Sequence, residues 1–296
     1  MSPIPPDSSV ARRVLGLTLE TMREQRGITR DVAADAIGVT RSTLWRIESG
    51  QNTRLSTRQL EQLCALCEAG PKQARTVLAL MRQAATPGRW RALAEDAIPK
   101  EFGLLVSLEN TASRITSYQL ATLPGLLHTA AYRRSLIWAE FPNKTRDEVE
   151  RLLRVGLERQ HRLTDPAAPV HLAAVIDESI LHRPTGGAAI MRDQLRHLSE
   201  VAALPNVSLR VVPRTAGIYR ALFTGTFVIL DFPAQRARKR TIPPVVYVQT
   251  CVRDLYLENP GVIRRCRDTC ADLERLALDE AGSLALILRI AKEYAR

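Results

Sequence analysis

Through the first 85 residues, apolar positions recur at helical spacing between short polar or glycine breaks. Val14, Leu15, Leu19 and Met22 mark one inward face until Arg26-Gly27 interrupts it. Thr29 is a good N-cap, and the helix it opens is expected to turn Val32, Ala33, Ala36 and Ile37 inward. Gly38 can take a left-handed backbone and so turns the chain sharply. Thr40 then caps a third helix, which buries Leu44 and Ile47 and stops at Ser49-Gly50. Two further helices are predicted over 57–68 and 71–84, the second with Pro71 at a permitted first-turn position.

Thr86-Pro87-Gly88 is the clearest break in the chain and begins a linker. From Trp90 to Leu163 the pattern reads as helical again, most clearly over 145–163, where Val149, Leu152, Leu153 and Leu157 share one face. Beyond Asp165-Pro166 the texture changes to β-branched and aromatic runs over 171–176, 207–212, 226–232 and 245–249. A helix over 188–203 separates the first two runs, and two more, near 260–277 and 280–294, close the chain. The expected fold class is therefore α+β and mostly helical: a five-helix N-terminal domain, a helical connector and a C-terminal mixed α/β domain. The boundaries predicted are a leader over 1–8, a helical domain over 9–85, a linker over 86–103 and the α/β domain over 104–296.

Charge narrows the choice of partner. The formal net charge is +11, carried almost wholly by arginine, since there are only five lysines. That balance favours an anionic partner such as nucleic acid. The Arg-, Ala- and Leu-rich composition also points to a GC-rich bacterial genome. No run approaches the ~20 apolar residues that span a bilayer, and the start of the chain does not read as a secretory signal. Five cysteines, an odd number, fit a reducing cytoplasm better than a complete disulfide framework. A cytoplasmic protein without membrane association is expected.

The turn at Gly38 carries the chemistry. Two short helices meeting there let one brace against a duplex while the other puts its N-terminal residues into the major groove. The first turn of the third helix offers Thr40, Arg41, Ser42 and Thr43, and Arg46 lies one turn beyond Ser42 on the same face. An arginine so placed grips guanine through two hydrogen bonds, worth ~1–3 kcal/mol of base discrimination. The hydroxyls suit base edges, thymine methyls or phosphates. Arg30 opens the second helix, where free amides favour a phosphate. Gln51, Asn52 and Arg54 follow the third helix and would hold the same backbone from its other side. Contacts of that kind fix register, while the third helix selects sequence. The structural alternative is an ordinary αα-corner within a helical domain.

With its flanks, Met22 to Thr29, Ala36 to Thr43 and Trp45 to Gly50, this element resembles the lambda-repressor-like (XRE) helix-turn-helix family over about Leu15 to Leu66. The resemblance implies base-reading positions at Arg41, Ser42, Thr43 and Arg46. It implies a phosphate contact at Arg30, where many family members have glutamine. It also implies an ion pair between Arg23 and Glu48 that ties the first helix to the third.

Later segments, in order, resemble the C-terminal domain of WhiJ-like actinobacterial regulators: Tyr118 to Leu127, Ile176 to Pro184, Gly186-Gly187, Gln194-Leu195, Pro205 to Val207, Val211 to Pro213 and Phe227 to Leu230. That resemblance implies a regulator encoded beside a small partner protein, in an arrangement likened to antitoxin and toxin. It defines no ligand site.

Other motifs favour structural roles. Pro124 to Leu127 reads as a packing corner, with an interaction surface as the alternative. Asp177 and Glu178 are adjacent on a strand and so point to opposite faces, which suits a structural pairing, with Arg183 as the expected partner, better than shared acid–base chemistry. Cys64 and Cys67, and Cys266 and Cys270, fall on amphipathic helices where cysteine acts as a small hydrophobe; no histidine completes a zinc spacing. Gly186-Gly187 reads as a turn. The basic run 236–240 reads as a solvated loop, or as a contact to flanking DNA.

No metal, cofactor or catalytic motif is expected, so the chain reads as a non-enzyme. The expected function is a sequence-specific transcriptional repressor, a homodimer on a pseudo-palindromic DNA operator, whose C-terminal domain binds an effector or small partner. Two alternatives stand beside it: an antitoxin-like protein that binds DNA for autoregulation, and an enzyme that the helix-turn-helix targets to DNA.

Overall fold

The computed structural model describes residues 8–51, 55–85, 100–166, 168–233, 243–250 and 254–295. Two compact units divide at residues 111 and 112.

Among its described residues the first unit is all α. Its helices are α1 (Ser8–Gln25), α2 (Arg30–Ala36), α3 (Arg41–Glu48), α4 (Thr57–Leu66), α5 (Pro71–Ala85) and α6 (Lys100–Thr111). Three of the five predicted helices begin at side-chain caps: Thr29 and Thr40 accept the backbone amides of Val32 and Thr43, and Ser56 forms a capping box with Gln59. The core joins Leu15, Leu19 and Met22 of α1 to Leu44 and Ile47 of α3, with Leu60 and Leu80 fully buried beside them.

Two expectations need correction here. On α2 the buried residues are Ala33, Ala34 and Ile37, whereas Val32 is about half exposed and Ala36 faces solvent. The expected face took in both i,i+4 pairs; the structure buries Ala33/Ile37, as expected, and turns Val32/Ala36 outward, because so short a helix has room for only one of these neighbouring stripes against the core. The boundary placed at residue 104 also moves. Leu104, Leu105 and Leu108 of α6 are buried, and that helix packs on α1 and α5, within the first unit.

The second unit is built on a six-stranded mixed sheet of order β3-β2-β1-β4-β5-β6. Its strands are β1 (Arg114–Gln119), β2 (His171–Asp177), β3 (Val207–Val212), β4 (Phe227–Asp231), β5 (Val245–Val248) and β6 (Leu255–Leu257). The first three run parallel, and β4, β5 and β6 continue antiparallel. Helices α7 (Ala130–Glu140) and α8 (Arg146–Glu158) link β1 to β2, and α9 (Ala188–Val201) links β2 to β3. After the last strand come α10 (Pro260–Leu276), which packs against β3, β4 and β5, and α11 (Glu280–Glu293), which packs against α9 and β3.

Strand β1 lies inside a stretch expected to be wholly helical. Ile115, Thr116 and Tyr118 favour a strand, and pairing on both sides with β2 and β4 decides the matter. Tyr118 is fully buried against Phe227, Ile229 and Val246. The outer edge of β3 does not face water unprotected: Ser283 accepts the Val211 amide, the Leu278 amide donates to the Val211 carbonyl, and the Arg210 side chain donates to the Ala277 and Leu278 carbonyls. A covered edge offers no template for an added strand. Among the described residues no helix is long and apolar enough to cross a membrane.

Candidate nucleic-acid interface

Local backbone chemistry sets the angle between α2 and α3. Gly38, at φ +66°, donates to Asp35, and Val39 donates to Ala34, which terminates α2 and sends the chain to the cap at Thr40. Gly50 repeats the device at the end of α3 with φ +68°. The helix between them presents two chemically distinct faces. Leu44, Ile47 and Glu48 are buried, while Thr40, Arg41, Ser42 and Arg46 are exposed and Thr43 is half-exposed.

The outward side chains are organised. Thr40 and Thr43 share a hydroxyl–hydroxyl bond of 2.9 Å, Arg46 Nε leans on the Ser42 carbonyl at 3.5 Å, and Arg41 lies 3.2 Å from Asp31. Gln51 is exposed just beyond the helix, whereas Asn52 and Arg54 lie outside the described residues.

Behind this face sits a buried charge network. Glu48, about 1% exposed in its side chain, accepts Arg23 Nε and Arg30 Nε, one on each oxygen, both at 2.6 Å. Arg30 also reaches Glu20 at 3.0 Å, and Arg23 donates to the Ile28 carbonyl at 2.8 Å. Burial works against the Arg23 charge, but the Glu48 hydrogen bond and charge outweigh it and its pKa is raised. The structure thus joins Arg23 to Glu48 and adds Arg30 and Glu20, two members that sequence reasoning did not place there. Arg30, expected at a phosphate, points its guanidinium inward to two carboxylates. The reason is geometric: the first residue of α2 lies against the ends of α1 and α3, where paired carboxylates already sit.

Sequence reasoning also passed over Gly16. A Cβ there would lie 2.4 Å from the Ile47 carbonyl oxygen and 2.5 Å from that of Glu48. Helix α1 therefore crosses the end of α3 at backbone contact, and only glycine allows it. A lone glycine within a predicted helix gave no hint of this crossing.

In the second unit the candidate residues form structural hydrogen-bond sets. Tyr118 donates to Tyr219 at 3.1 Å and Tyr219 to Asp177 at 2.7 Å. Glu178 pairs with His182 at 3.0 Å and with Arg214 at 3.3 Å, and also accepts the Arg214 amide. The expected partner, Arg183, is replaced by Arg214, because the chain after β3 returns over the end of β2. Leu126 and Leu127 are buried, so Pro124 to Leu127 is a packing corner and not an exposed apolar surface. His128 is buried, with Nε2 bonded to the Leu123 carbonyl at 2.7 Å; burial and the nearby Arg133 charge bring its pKa down to about 3. Cys64, Cys67 and Cys270 are buried and Cys266 half-buried, and burial pushes all four thiols up, Cys270 to about 12. Gly186 and Gly187 form a tight positive-φ turn before α9. The run 236–240 lies outside the described residues.

A capped, outward-facing helix held behind a glycine turn by buried ion pairs is the arrangement of a DNA-binding regulator, and residues 14–77 match the helix-turn-helix domain family. A second match, over residues 102–289, covers most of the chain and is described as Domain of unknown function (DUF5753). The chain belongs to that family. No curated protein matches it.

Proposed function

We propose that this protein is a sequence-specific transcriptional repressor that binds as a homodimer to a pseudo-palindromic operator. The observation that carries the reading is the outward face of α3: Thr40, Arg41, Ser42, Thr43 and Arg46 reach solvent while Leu44, Ile47 and Glu48 fix the helix from behind. One such helix covers only a few base pairs, so two copies in successive major grooves, ~34 Å apart, supply the contacts a specific site needs. Gln51 extends this surface toward the phosphates, and Arg30 acts indirectly by fixing α2 against α3.

The C-terminal unit is read as the part that receives a signal, a small partner protein or effector of the kind found with WhiJ-like regulators. A specific feature supports a protein partner. Ile218 and Phe223 are 84% and 83% exposed on the loop between β3 and β4, while Tyr219 and Ala221 of the same loop are buried and anchor it. Apolar side chains held out by a fixed loop suit a protein surface. The same feature accommodates the antitoxin-like reading, in which neutralising the partner is the main task and DNA binding is autoregulatory. We read the chain as non-catalytic, since Asp177 accepts the Tyr219 hydroxyl and Glu178 pairs with His182 and Arg214 in structural sets.

The test is genome-wide mapping of bound sites joined to transcript levels in a deletion strain. Paired half-sites at promoters whose transcripts rise on deletion support the repressor. Bound sites whose transcripts fall, or no bound sites, overturn it.

A further inference from the structure

The chain as a whole carries +11, yet its DNA-facing element does not. Residues 29–51 hold three arginines (Arg30, Arg41 and Arg46) and three acids (Asp31, Asp35 and Glu48), and so are neutral. Two of the arginines are already matched to carboxylates. Arg30 faces Glu48 and Glu20 in the buried network. Arg41, the first residue of α3, meets Asp31 from the first turn of α2, NH1 to Oδ2 at 3.2 Å. These two pairs differ in kind. Arg30 and Glu48 are 16% and 1% exposed, whereas Arg41 and Asp31 are 68% and 57% exposed, so water and salt weaken the latter pair and a ligand exchanges it readily.

We infer that Asp31 determines specificity: its carboxylate holds Arg41 off the DNA backbone and yields it to a base edge that offers two acceptors. The inference rests on the DNA-binding reading and names a regulator of that same surface. A phosphate approaching Arg41 also approaches Asp31, and the two anions repel. A guanine edge instead presents O6 and N7, neutral acceptors that match the guanidinium fork without that repulsion. Arg41 therefore contributes little to sequence-independent attraction and much to the choice of base. Removing the carboxylate frees one cation for the phosphate backbone. Each added phosphate contact steepens the dependence of log K on log salt by ~0.9, which at 0.1 M salt amounts to about eightfold in affinity.

The test measures binding of the full chain to a labelled random-sequence 30-base-pair duplex and to a duplex chosen by in vitro selection, from 0.05 to 0.3 M salt. Asp31→Asn keeps the shape of the side chain and alters an exposed pair, so the fold is retained. The expected result is about eightfold tighter binding of Asp31→Asn to the random duplex at 0.1 M salt, a slope steeper by about one, and a smaller ratio of selected to random affinity. In an Arg41→Ala background the same substitution should leave the slope unchanged, because no guanidinium is released. Unchanged slope and ratio in Asp31→Asn overturn the inference, as does an equal effect with and without Arg41. If wild-type protein binds neither duplex, the DNA-binding reading itself fails, which is a distinguishable outcome.

Discussion

Replacing Glu48 with alanine is the sharpest perturbation of the structure behind the DNA-facing helix. The substitution removes two charge-assisted hydrogen bonds of 2.6 Å from a carboxylate almost wholly out of water. Bonds to charged groups contribute ~1.5–3 kcal/mol each, which would give roughly 3–6 kcal/mol for the two. The two arginines do not lose equally. Arg30, 16% exposed, regains some hydration and keeps Glu20. Arg23, 7% exposed, keeps the Ile28 carbonyl and the edge contact to Glu24 at 3.4 Å. The lower part of that range is therefore expected, about 3–4 kcal/mol, in line with breaking a buried ion pair from one side. For a unit of this size each 1 kcal/mol lowers Tm by about 4–8 °C, so the transition of the N-terminal unit should fall by more than ~12 °C. Thermal and urea unfolding followed by Trp45 fluorescence, in a background carrying Trp90→Phe and Trp138→Phe, reports that unit locally. A double-mutant cycle with Arg23→Met and Glu48→Met should then show strong coupling, because losing both partners leaves fewer stranded charges than losing one. A loss below about 1 kcal/mol for Glu48→Ala would refute the reasoning, since it would mean that the network holds nothing in place.

Three further outcomes follow from the same geometry. Gly16→Ala should destabilise the N-terminal unit by roughly 1–3 kcal/mol and weaken duplex binding, because the new methyl meets the Ile47 and Glu48 carbonyls at 2.4 and 2.5 Å; urea unfolding and fluorescence anisotropy check both effects. Thr145→Ala should cost the C-terminal unit about 1 kcal/mol by breaking the capping box with Glu148 at the start of α8, read as a shift in urea midpoint. Glu178 gives a pH signature: burial would raise its pKa, but the Arg214 amide, His182 and the Arg214 charge hold it below the ordinary 4.5. A lowered folded value means that its stabilisation is complete above pH 4.5 and fades as the pH falls through that lower folded value. The gap in stability between wild type and Glu178→Gln should therefore be wide at pH 7 and narrow on acidification, and a gap that widened instead would contradict the assignment.

The elements governed by local signals were legible in the sequence. Thr29 and Thr40 announce helices through capping chemistry, and Gly38 announces its turn through backbone freedom, so the helix-turn-helix can be read directly from residues. Long-range contacts were less visible. Strand β1 has six residues, and its identity rests on partners more than fifty residues away in β2 and over a hundred away in β4. The Arg214 partner of Glu178 depends on how the chain returns after β3, which no local pattern encodes. Arg30 is the instructive case: its position at the start of a helix suggested a phosphate, but two carboxylates from other helices claim it first. The exposed face of α3 could be inferred because the buried residues Leu44 and Ile47 leave the opposite side outward, whereas the ionic frame behind it required the three-dimensional arrangement.

The central claim is that side chains on the exposed face of α3 read bases, and in vitro selection from a random duplex library tests it most directly. Wild-type protein and Arg46→Ala are carried through the same rounds and the enriched sequences compared. The account predicts an inverted repeat for the wild type, with half-sites about one helical turn apart, and loss of preference at one position in each half-site for Arg46→Ala. Identical enriched sequences from the two proteins, or no enrichment from the wild type, would contradict it.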